Sequence, residues 1–424
     1  MKFSICNLGC KVNAYEAESC AYALEQQGFE RTDFDQPADI SLIFTCAVTN
    51  TAAAKSRKMM HRIRRMNPDC VIAMVGCYAQ IDAAAMTDAQ IVIGTKYKKD
   101  LAGFVTEYLR TGERIVKVED LKDIAFEAMA PVRFENRARA FLKVQDGCNQ
   151  FCSYCVIPYA RGRERSMNPQ EVIQAARQIT ETHQEIVLTG IHTGRYGREY
   201  RMSLEDLIRM LLKEVDGLKR LRISSIEITE ISDGLLQLMQ ENPVIARHLH
   251  IPLQSGSTEI LKAMHRPYTA DEFLERLAEI RQIVGDDVSI STDVIAGFPG
   301  ESEENFAEML DTIAKSAFSF LHVFPFSPRS GTPAAAMKNQ ISAEVKKERV
   351  GRLLAQSRAM YQTYMDRFIG SEAEVLTEEC RDGYTTGHTS NYIPVLIKGE
   401  SEHGVMKKVI LKETGQGEMT AEEV

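Results

Sequence analysis

The segment Cys148–Cys155 reads CNQFCSYC and carries three cysteines at C-x3-C-x2-C spacing. It follows an apolar run at Phe141–Val144, which is short and continuous as a buried strand should be. Gly147 lies between this run and the first cysteine. We therefore expect the three cysteines to lie on a loop at the C-terminal end of a strand.

Five further strand patterns follow this loop, separated by long amphipathic segments typical of helices. One of these helices is predicted to begin with Asn168 as its cap and Pro169 in its first turn. Six βα units predict an incomplete parallel barrel over residues 136–367, with its reactive face at the C-terminal ends of the strands. The predicted strands are Phe141–Val144, Glu185–Leu188, Leu221–Ile226, His248–Pro252, Ser289–Ile295 and Phe320–Phe324.

Residues 1–112 show a separate alternation of strand and helix patterns. Short apolar runs alternate with helix patterns at about 14–27, 51–66 and 79–86, which predicts a doubly wound parallel sheet. The predicted strands are Phe3–Leu8, Ile40–Phe44, Val71–Val75 and Ile91–Ile93.

The rest of the chain predicts a linker and a third domain. Residues 113–135 are less regular and are expected to form the linker. After a long charged helix at about 343–367, residues 368–424 show short β patterns separated by Gly-containing turns. This predicts a small all-β barrel. The expected fold class is α/β: an N-terminal doubly wound sheet, a central partial (βα)6 barrel and a C-terminal β-barrel.

The composition is that expected of a soluble protein of the cytoplasm. Hydrophobic residues make up 44% and charged residues 26% of the 424 positions. No run approaches about eighteen apolar residues, and Met1–Cys6 lacks the long apolar core of a signal peptide, so no membrane span is expected. Ten cysteines in the cytoplasm are expected to stay reduced, so their spacing is best tested against metal and cluster sites.

The spacing of Cys148, Cys152 and Cys155 favours an iron–sulfur cluster. Three thiolates hold three irons of a [4Fe–4S] cluster and leave the fourth iron open. An open iron can chelate the amino and carboxylate groups of S-adenosylmethionine (SAM) and place its sulfonium for one-electron cleavage. A structural zinc site is the alternative, but zinc usually takes four ligands in paired C-x2-C units, and no fourth ligand is near in sequence.

A second set of cysteines is predicted from topology. Cys10, Cys46 and Cys77 each lie just past the C-terminal end of a predicted strand. In a parallel sheet these ends share one edge, so the three thiols are expected to converge on a second cluster. The alternative is that they pack in the core, as free cysteines often do. The remaining four cysteines are expected to pack in the core, and Cys6 is expected to lie nearest the site. These four are Cys6, Cys20, Cys70 and Cys380.

These motifs together resemble the methylthiotransferases, a family of radical SAM enzymes. Residues 148–162 are similar to that family's radical SAM signature, although Tyr159 stands where relatives often carry Trp. The N-terminal three-cysteine domain and the terminal β-barrel resemble the family's other two modules, the latter its RNA-binding TRAM domain. The likeness covers nearly the whole chain and implies an enzyme with two [4Fe–4S] clusters and SAM.

Three short strings favour one subfamily. Residues 9–13 read GCKVN, residues 76–80 read GCYAQ and residues 188–194 read LTGIHTG. They are similar to the bacterial enzymes that act on threonylcarbamoyladenosine. The resemblance thus implies insertion of a methylthio group at C2 of N6-threonylcarbamoyladenosine beside a tRNA anticodon. The alternatives are N6-isopentenyladenosine in tRNA, a ribosomal-protein aspartate, or, in another class, a zinc-stabilised RNA-binding protein without catalysis.

The resemblance also implies partners and cofactor contacts. The expected partners are a tRNA anticodon stem-loop, an external one-electron reductant and a sulfide source, and the chain is expected to be a monomer. SAM is expected to contact residues at the barrel strand ends, although an ordinary turn role is the alternative for each. The candidates are Tyr154, Gly190, Glu227, Gln254, Ser255, Asp293 and Gly297.

RNA binding would need local positive patches, because the net charge is −8. The segment Lys55–Arg65 carries six Lys and Arg residues and no acidic residue. Arg161, Arg163 and Arg165 follow the three-cysteine loop and form a second candidate patch. A solvated helix face is the alternative. The third domain is acidic, so its RNA role would depend on a strip such as Lys398, Lys407 and Lys408.

Overall fold

The computed structural model describes residues 1–122, 124–130, 134, 137–415 and 417–424. Its first part is a parallel sheet in the order β2-β1-β3-β4-β5-β6. Strands β3 and β4 are buried at every position, which is why they are continuous apolar runs rather than alternating ones. The strands are β1 (Lys2–Asn7), β2 (Glu30–Arg31), β3 (Ile40–Thr45), β4 (Val71–Gly76), β5 (Ile91–Ile93) and β6 (Ile115–Lys117).

Four helices cover this sheet, and the doubly wound architecture predicted from the sequence is confirmed. Thr49 caps α2 by accepting a hydrogen bond from the Ala52 N–H (3.1 Å). Strand β6 lies within the predicted linker, so the sheet extends beyond residue 112. Positions 123, 131–133 and 135 of that linker, and 136 beside it, lie outside the described residues. The helices are α1 (Lys11–Glu25), α2 (Asn50–Met66), α3 (Cys77–Ile81) and α4 (Leu101–Thr111).

The second part is the predicted partial barrel. Six parallel strands form two three-stranded sheets, β7-β10-β11 and β12-β13-β14, and parallel bridges such as Ser225 to His250 join them. A short antiparallel pair, β8 with β9, flanks the cysteine loop. The strands are β7 (Arg139–Lys143), β8 (Gln145–Asp146), β9 (Arg165–Ser166), β10 (Glu185–Thr189), β11 (Arg220–Ile223), β12 (His248–His250), β13 (Ser289–Ala296) and β14 (Phe320–Pro325).

Helices surround the barrel strands. Asn168 caps α6 and Pro169 opens it, as the sequence predicts, and Thr269 and Glu272 form a reciprocal capping box at α10. The helices are α5 (Ile157–Arg161), α6 (Pro169–Thr180), α7 (Leu204–Glu214), α8 (Asp233–Glu241), α9 (Thr258–Ala263), α10 (Ala270–Val284), α11 (Glu303–Ser316), α12 (Pro333–Ala336) and α13 (Ala343–Asp366). No helix among the described residues is long and apolar enough to cross a membrane.

The third part is a closed five-stranded barrel in the order β15-β16-β17-β19-β18. Its interior is a separate apolar cluster that includes Val375, Val395 and Leu411. The β patterns of the sequence at Glu374–Thr377, Tyr392–Ile397 and Val405–Leu411 predict β15, β17 and β18, whereas no pattern predicts β16 and β19. The strands are β15 (Glu372–Arg381), β16 (Tyr384–Thr389), β17 (Pro394–Lys398), β18 (Met406–Gly415) and β19 (Glu418–Glu423).

Candidate active site

The N-terminal trio, Cys10, Cys46 and Cys77, lies at one edge of the first sheet. Cys10 precedes α1, Cys46 follows β3, and Cys77 begins α3 directly after β4. Because β1, β3 and β4 are neighbouring parallel strands, their C-terminal ends share this edge. Burial, together with smaller contributions from the nearby Cys77 and Cys10 thiols, raises the pKa of the Cys46 thiol to about 11. The structure thus brings together three cysteines that are far apart in sequence.

The loop trio, Cys148, Cys152 and Cys155, lies between β8 and α5. Backbone hydrogen bonds anchor this loop, including one from the Cys148 N–H to the Gly162 carbonyl (3.1 Å). Burial raises the pKa of the Cys155 thiol to about 12, and the Cys152 and Cys148 thiols add to the shift. The three thiols therefore lie near one another in the loop.

Two buried arginines donate hydrogen bonds to these sulfurs. Arg161 Nε lies 3.2 Å from Cys77 Sγ, and Arg266 Nη1 lies 3.4 Å from Cys152 Sγ. Adjacent positive charge stabilises the thiolate, which is the form that binds iron. Burial raises the pKa of the Cys77 and Cys152 thiols, and the arginine beside each of them opposes this shift.

The donor set of each trio consists of three free thiols. Within the part of the chain that the structure describes, no group of three His, Cys, Asp or Glu side chains could hold one metal ion. A structural zinc draws its sulfur ligands to about 2.3 Å from a single centre. Each thiolate of a [4Fe–4S] cluster binds a different iron, so its ligands lie further apart. Each trio offers three sulfur ligands, the number that a [4Fe–4S] cluster with one open iron takes.

Two adjacent cavities separate the trios. The first cavity, of about 210 Å³, opens beside Cys155. The second, of about 350 Å³, opens beside Cys10. Asp293 and Phe324 line both, so the two cavities adjoin. Further residues of the first include Tyr154, Gln254, Ile295 and Phe326, and those of the second include Lys11, Gly190, Ser225, His250 and His322.

Comparison with known proteins places this geometry in a family. Residues 142–313 match the radical SAM superfamily, and residues 2–94 match the uncharacterized protein family UPF0004. The threonylcarbamoyladenosine tRNA methylthiotransferase MtaB of Bacillus subtilis (strain 168) is 42% identical over 96% of this chain and 93% of that protein. The chain belongs to the radical SAM methylthiotransferases.

Other relatives agree with this assignment, and a solved structure shares the fold. MtaB of Aquifex aeolicus (strain VF5) is 34% identical over 97% of this chain and 100% of that protein. The tRNA-2-methylthio-N(6)-dimethylallyladenosine synthase of Lachnoclostridium phytofermentans is 34% identical over 95% of this chain and 91% of that protein. The radical SAM methyltransferase TsrM of Kitasatospora setae shares the fold, with a TM-score of 0.58 and 14% identity over 79% of this chain and 77% of that chain.

Membership of the methylthiotransferases identifies the cofactors as two [4Fe–4S] clusters and SAM, as the sequence predicts. The structure places four of the seven predicted SAM-contact residues at the cavities: Tyr154, Gln254, Asp293 and Gly190. Gln254 has a left-handed backbone (φ 69°), which is uncommon for a residue other than glycine. Asp293 pairs with His250 across 3.3 Å in the barrel interior.

The other three predicted contacts lie outside the lining of both cavities and have partners within the chain. Glu227 accepts a hydrogen bond from Arg266, and so supports the arginine that contacts Cys152. Ser255 is fully buried, and its hydroxyl accepts a hydrogen bond from the Ser257 N–H (3.2 Å). Gly297 donates to Glu301 (2.9 Å) in a turn with φ 75°.

Arg161 and Arg165 are buried, so the sequence-based prediction that they contact RNA is wrong. They belong to a buried ionic cluster that joins the first sheet to the barrel. Arg161 bonds Glu16 and Asp146 at 3.0 Å each, and Arg165 bonds Asp146 at the same distance. Arg163 between them stays exposed. The cluster contains four cations against two carboxylates: Lys98, Lys143, Arg161 and Arg165 against Glu16 and Asp146.

Sequence reasoning also missed functional neighbours of the loop trio. Arg266 lies far along the chain, and only folding brings it to Cys152. His192 was assigned no role, yet its Nδ1 lies 3.4 Å from Cys148 Sγ and its Nε2 lies 2.9 Å from Glu230. Although burial opposes it, hydrogen bonding to Cys148 and Glu230 raises the pKa of His192 to about 10. Its only sequence signal is its position just after a barrel strand.

Proposed function

We propose that this methylthiotransferase inserts a methylthio group at C2 of N6-threonylcarbamoyladenosine, next to the anticodon of a tRNA. The observation that carries the proposal is that two cysteine trios lie on either side of adjoining cavities in a chain 42% identical to MtaB of Bacillus subtilis. The dimethylallyladenosine enzymes are a second candidate, because their identity reaches 35%. The higher identity to MtaB favours the first substrate.

The loop trio would hold one cluster and the N-terminal trio the other. When bound, the first cluster supplies the electron that cleaves SAM and so generates the radical. The second cluster supplies a site for the sulfur that is transferred. Such chemistry suits the target, because an adenine C2–H is neither acidic nor displaceable and acid–base catalysis cannot open it. The cofactors carry this step, and the protein provides binding and orientation.

The chain's own residues would position the reactants between the trios. Asp293 and Phe324 line both cavities, so a base held against them can face both sites. Arg266 bridges Cys152 and Glu227 and fixes the loop from behind. Apolar side chains around the first cavity exclude water from the reacting carbon.

The tRNA is proposed to approach over α2. Three of its basic residues make local contacts: Arg57 donates to Tyr78, Arg62 pairs with Asp35, and Arg64 donates to backbone carbonyls. The exposed basic side chains left on this helix are Lys55, Lys58 and Arg65. The TRAM-like barrel is proposed to take part in RNA binding. The reaction is proposed to use an external one-electron reductant and a sulfide source, and the chain is proposed to act as a monomer in the cytoplasm.

The domain boundaries proposed for this function follow the three structural parts. The N-terminal unit carries the trio of Cys10, Cys46 and Cys77 and extends through β6. The partial barrel carries the loop trio and ends with α13. The TRAM-like barrel occupies residues 368–424.

The function is tested by replacing one cysteine of each trio. Cys46→Ala is expected to keep SAM cleavage and lose methylthiolation of an anticodon stem-loop carrying threonylcarbamoyladenosine. Cys152→Ala is expected to lose both, and Cys380→Ala, in the third part, should change neither. Nucleoside mass spectrometry reads the product and 5′-deoxyadenosine reads cleavage. Unchanged product in Cys46→Ala would refute the role of the N-terminal trio.

Metal content separates the enzyme from a zinc-stabilised RNA-binding protein. Anaerobically purified protein is expected to be brown and to contain about eight irons and eight sulfides per chain, as two [4Fe–4S] clusters require. Cys46→Ala and Cys152→Ala should each lose about half of that iron, and Cys380→Ala should keep all of it. Colourless protein holding zinc would establish the non-catalytic alternative.

A further inference from the structure

Lys11 lies where two cavities meet. It is the first residue of α1 and directly follows Cys10. It lines the second cavity together with Gly190 and Asp293. It also lines a third cavity, of about 430 Å³, between the partial barrel and the terminal barrel, together with Arg139 and Arg222 among others. Its side chain is exposed to this shared space. Lys11 is therefore accessible to a ligand that occupies the space between the trios.

The ammonium group of Lys11 is uncommitted. Among the described residues it has no hydrogen-bond or salt-bridge partner, and the cations nearest it are already paired. Arg139 binds Glu378 at 2.6 Å. Arg222 binds Glu185 at 2.8 Å and donates to carbonyls of the terminal barrel. Arg139 and Arg222 are among the electrostatic neighbours of Lys11, as are the Tyr392 and Cys10 side chains. An anion entering the second cavity would meet the Lys11 ammonium there.

The proposed substrate brings such an anion. Its N6 substituent ends in the carboxylate of a threonyl unit, several bonds away from the reacting C2. When C2 faces the trios, this carboxylate must lie elsewhere in the same space. Burying a carboxylate without a partner is costly, whereas a charge-assisted hydrogen bond from an ammonium offsets the cost.

We infer that Lys11 binds the carboxylate of the N6 substituent and so selects an acidic modified adenosine over a neutral one. The inference rests on the proposed function, because it assigns a residue that recognises that function's substrate. A neutral substituent gains no binding energy from the ammonium. An acidic substituent would be desolvated without a partner if the ammonium were absent, so the ammonium favours the acidic one. Lys11 acts on recognition and has no part in the radical step.

A phosphate of the RNA backbone is the other anion that could reach Lys11, and matched RNAs separate the two. The experiment compares an anticodon stem-loop carrying the threonylcarbamoyl acid with the same stem-loop carrying its carboxamide. Wild type, Lys11→Met and Lys11→Arg are compared with the control Lys213→Met, which changes an exposed lysine on α7 away from the three cavities. The readouts are the dissociation constant by fluorescence anisotropy and kcat/KM for methylthiolation.

Wild type and Lys213→Met are expected to favour the acid over the amide by about tenfold to a hundredfold, the usual effect of a hydrogen bond to a charged group. Lys11→Met should bring this ratio close to one, and Lys11→Arg should retain part of it. Partial loss of the clusters lowers the methylthiolation rate by the same factor for both RNAs, so the acid-to-amide ratio is unaffected. Iron content checks loading independently.

Two outcomes overturn the inference. An acid-to-amide ratio in Lys11→Met equal to that of wild type would show that another group reads the carboxylate. An equal loss for both RNAs, with a shallower salt dependence, would assign Lys11 to a backbone phosphate instead. A wild-type enzyme that methylthiolates neither RNA would refute the proposed function itself, and acid-selective binding by that inactive protein would still support the Lys11 assignment.

Discussion

Arg161 is the residue on which both trios depend. Its guanidinium is fully buried and donates to Cys77 Sγ, Glu16, Asp146 and Asn13. Its own helix follows the loop trio directly. One side chain therefore connects the sulfur of the N-terminal trio to the loop of the other trio, through groups that water does not reach.

Replacing Arg161 by Met should destabilise the fold strongly. The change leaves the buried Glu16 and Asp146 with fewer cations, and removing one partner of a buried ion pair typically costs about 3–5 kcal/mol. Urea unfolding of the anaerobic protein measures the effect. The exposed Arg163 provides the control, since Arg163→Met should stay within about 0.5 kcal/mol of wild type. Equal stabilities for the two variants would show that the buried cluster contributes no net stability.

At the scale of elements, the loop trio depends on a turn that only glycine can make. Gly147 has φ 73°, and a Cβ built there would overlap the carbonyl oxygen of Arg163. Gly300 has a similar φ of 84°, but a Cβ there would have no atom within 4 Å. Both glycines therefore need a left-handed backbone, but only Gly147 has a neighbouring atom in the position that a Cβ would take.

Substituting these two glycines separates the two effects. Gly300→Ala should cost about 1–2 kcal/mol, the price of a left-handed conformation for an L-residue. Gly147→Ala should cost more, because backbone must move, and should reduce iron bound by the adjacent loop trio. Urea unfolding and iron per chain measure the two effects. Full iron content in Gly147→Ala would show that the loop tolerates the displacement.

Other elements differ from their sequence patterns for identifiable reasons. Strand β19 is EMTAEE, in which only Met419 and Ala421 turn into the barrel and the remaining positions are polar. In β16, Gly387 lies where a Cβ would overlap the Leu376 carbonyl oxygen, so the strand has little side-chain signal there. Helix α4 contains Gly103 and the β-branched Val105, both weak helix formers. Pairing and packing decide these elements, and local preference does not.

At the scale of the whole molecule, the terminal barrel docks on the partial barrel through buried polar contacts. Arg220 and Arg222 share Glu185 and donate to backbone carbonyls of the terminal barrel, including those of Glu374 and Ser390. His248 stacks on Tyr392 of the terminal barrel with 4.7 Å between ring centroids. This interface contains basic side chains that must stay buried for the parts to remain docked.

His248 should make this docking sensitive to acid. Burial holds its pKa well below the ordinary value, and the positive charge of Arg222 lowers it further. The unfolded chain then binds a proton that the folded chain excludes, so stability is complete above about pH 6.5 and falls as the pH decreases, by up to about 1.4 kcal/mol per unit. Thermal unfolding of wild type and His248→Gln between pH 7.5 and about 5.5 tests this expectation.

The informative quantity is the slope of stability against pH, compared between wild type and each variant. His248→Gln should flatten the slope, whereas His61→Gln, which changes an exposed histidine, should leave it unchanged. The absolute stability of His248→Gln falls for other reasons, including the lost ring stacking. A slope identical to that of wild type would place the acid sensitivity in another group.

The sequence by itself determined the architecture and the six cysteines. Strand and helix periodicities are local, and the C-x3-C-x2-C spacing supplies the three ligands of one cluster from a single short segment. Cys10, Cys46 and Cys77 were accessible to prediction because parallel strands must end at a common edge. Only the tertiary structure placed Arg161 and Arg266 beside sulfur, buried Arg165 and placed Lys11 between cavities. An arginine in a sequence has no fixed environment, and its burial, partners and charge balance depend on which distant strands and loops fold against it.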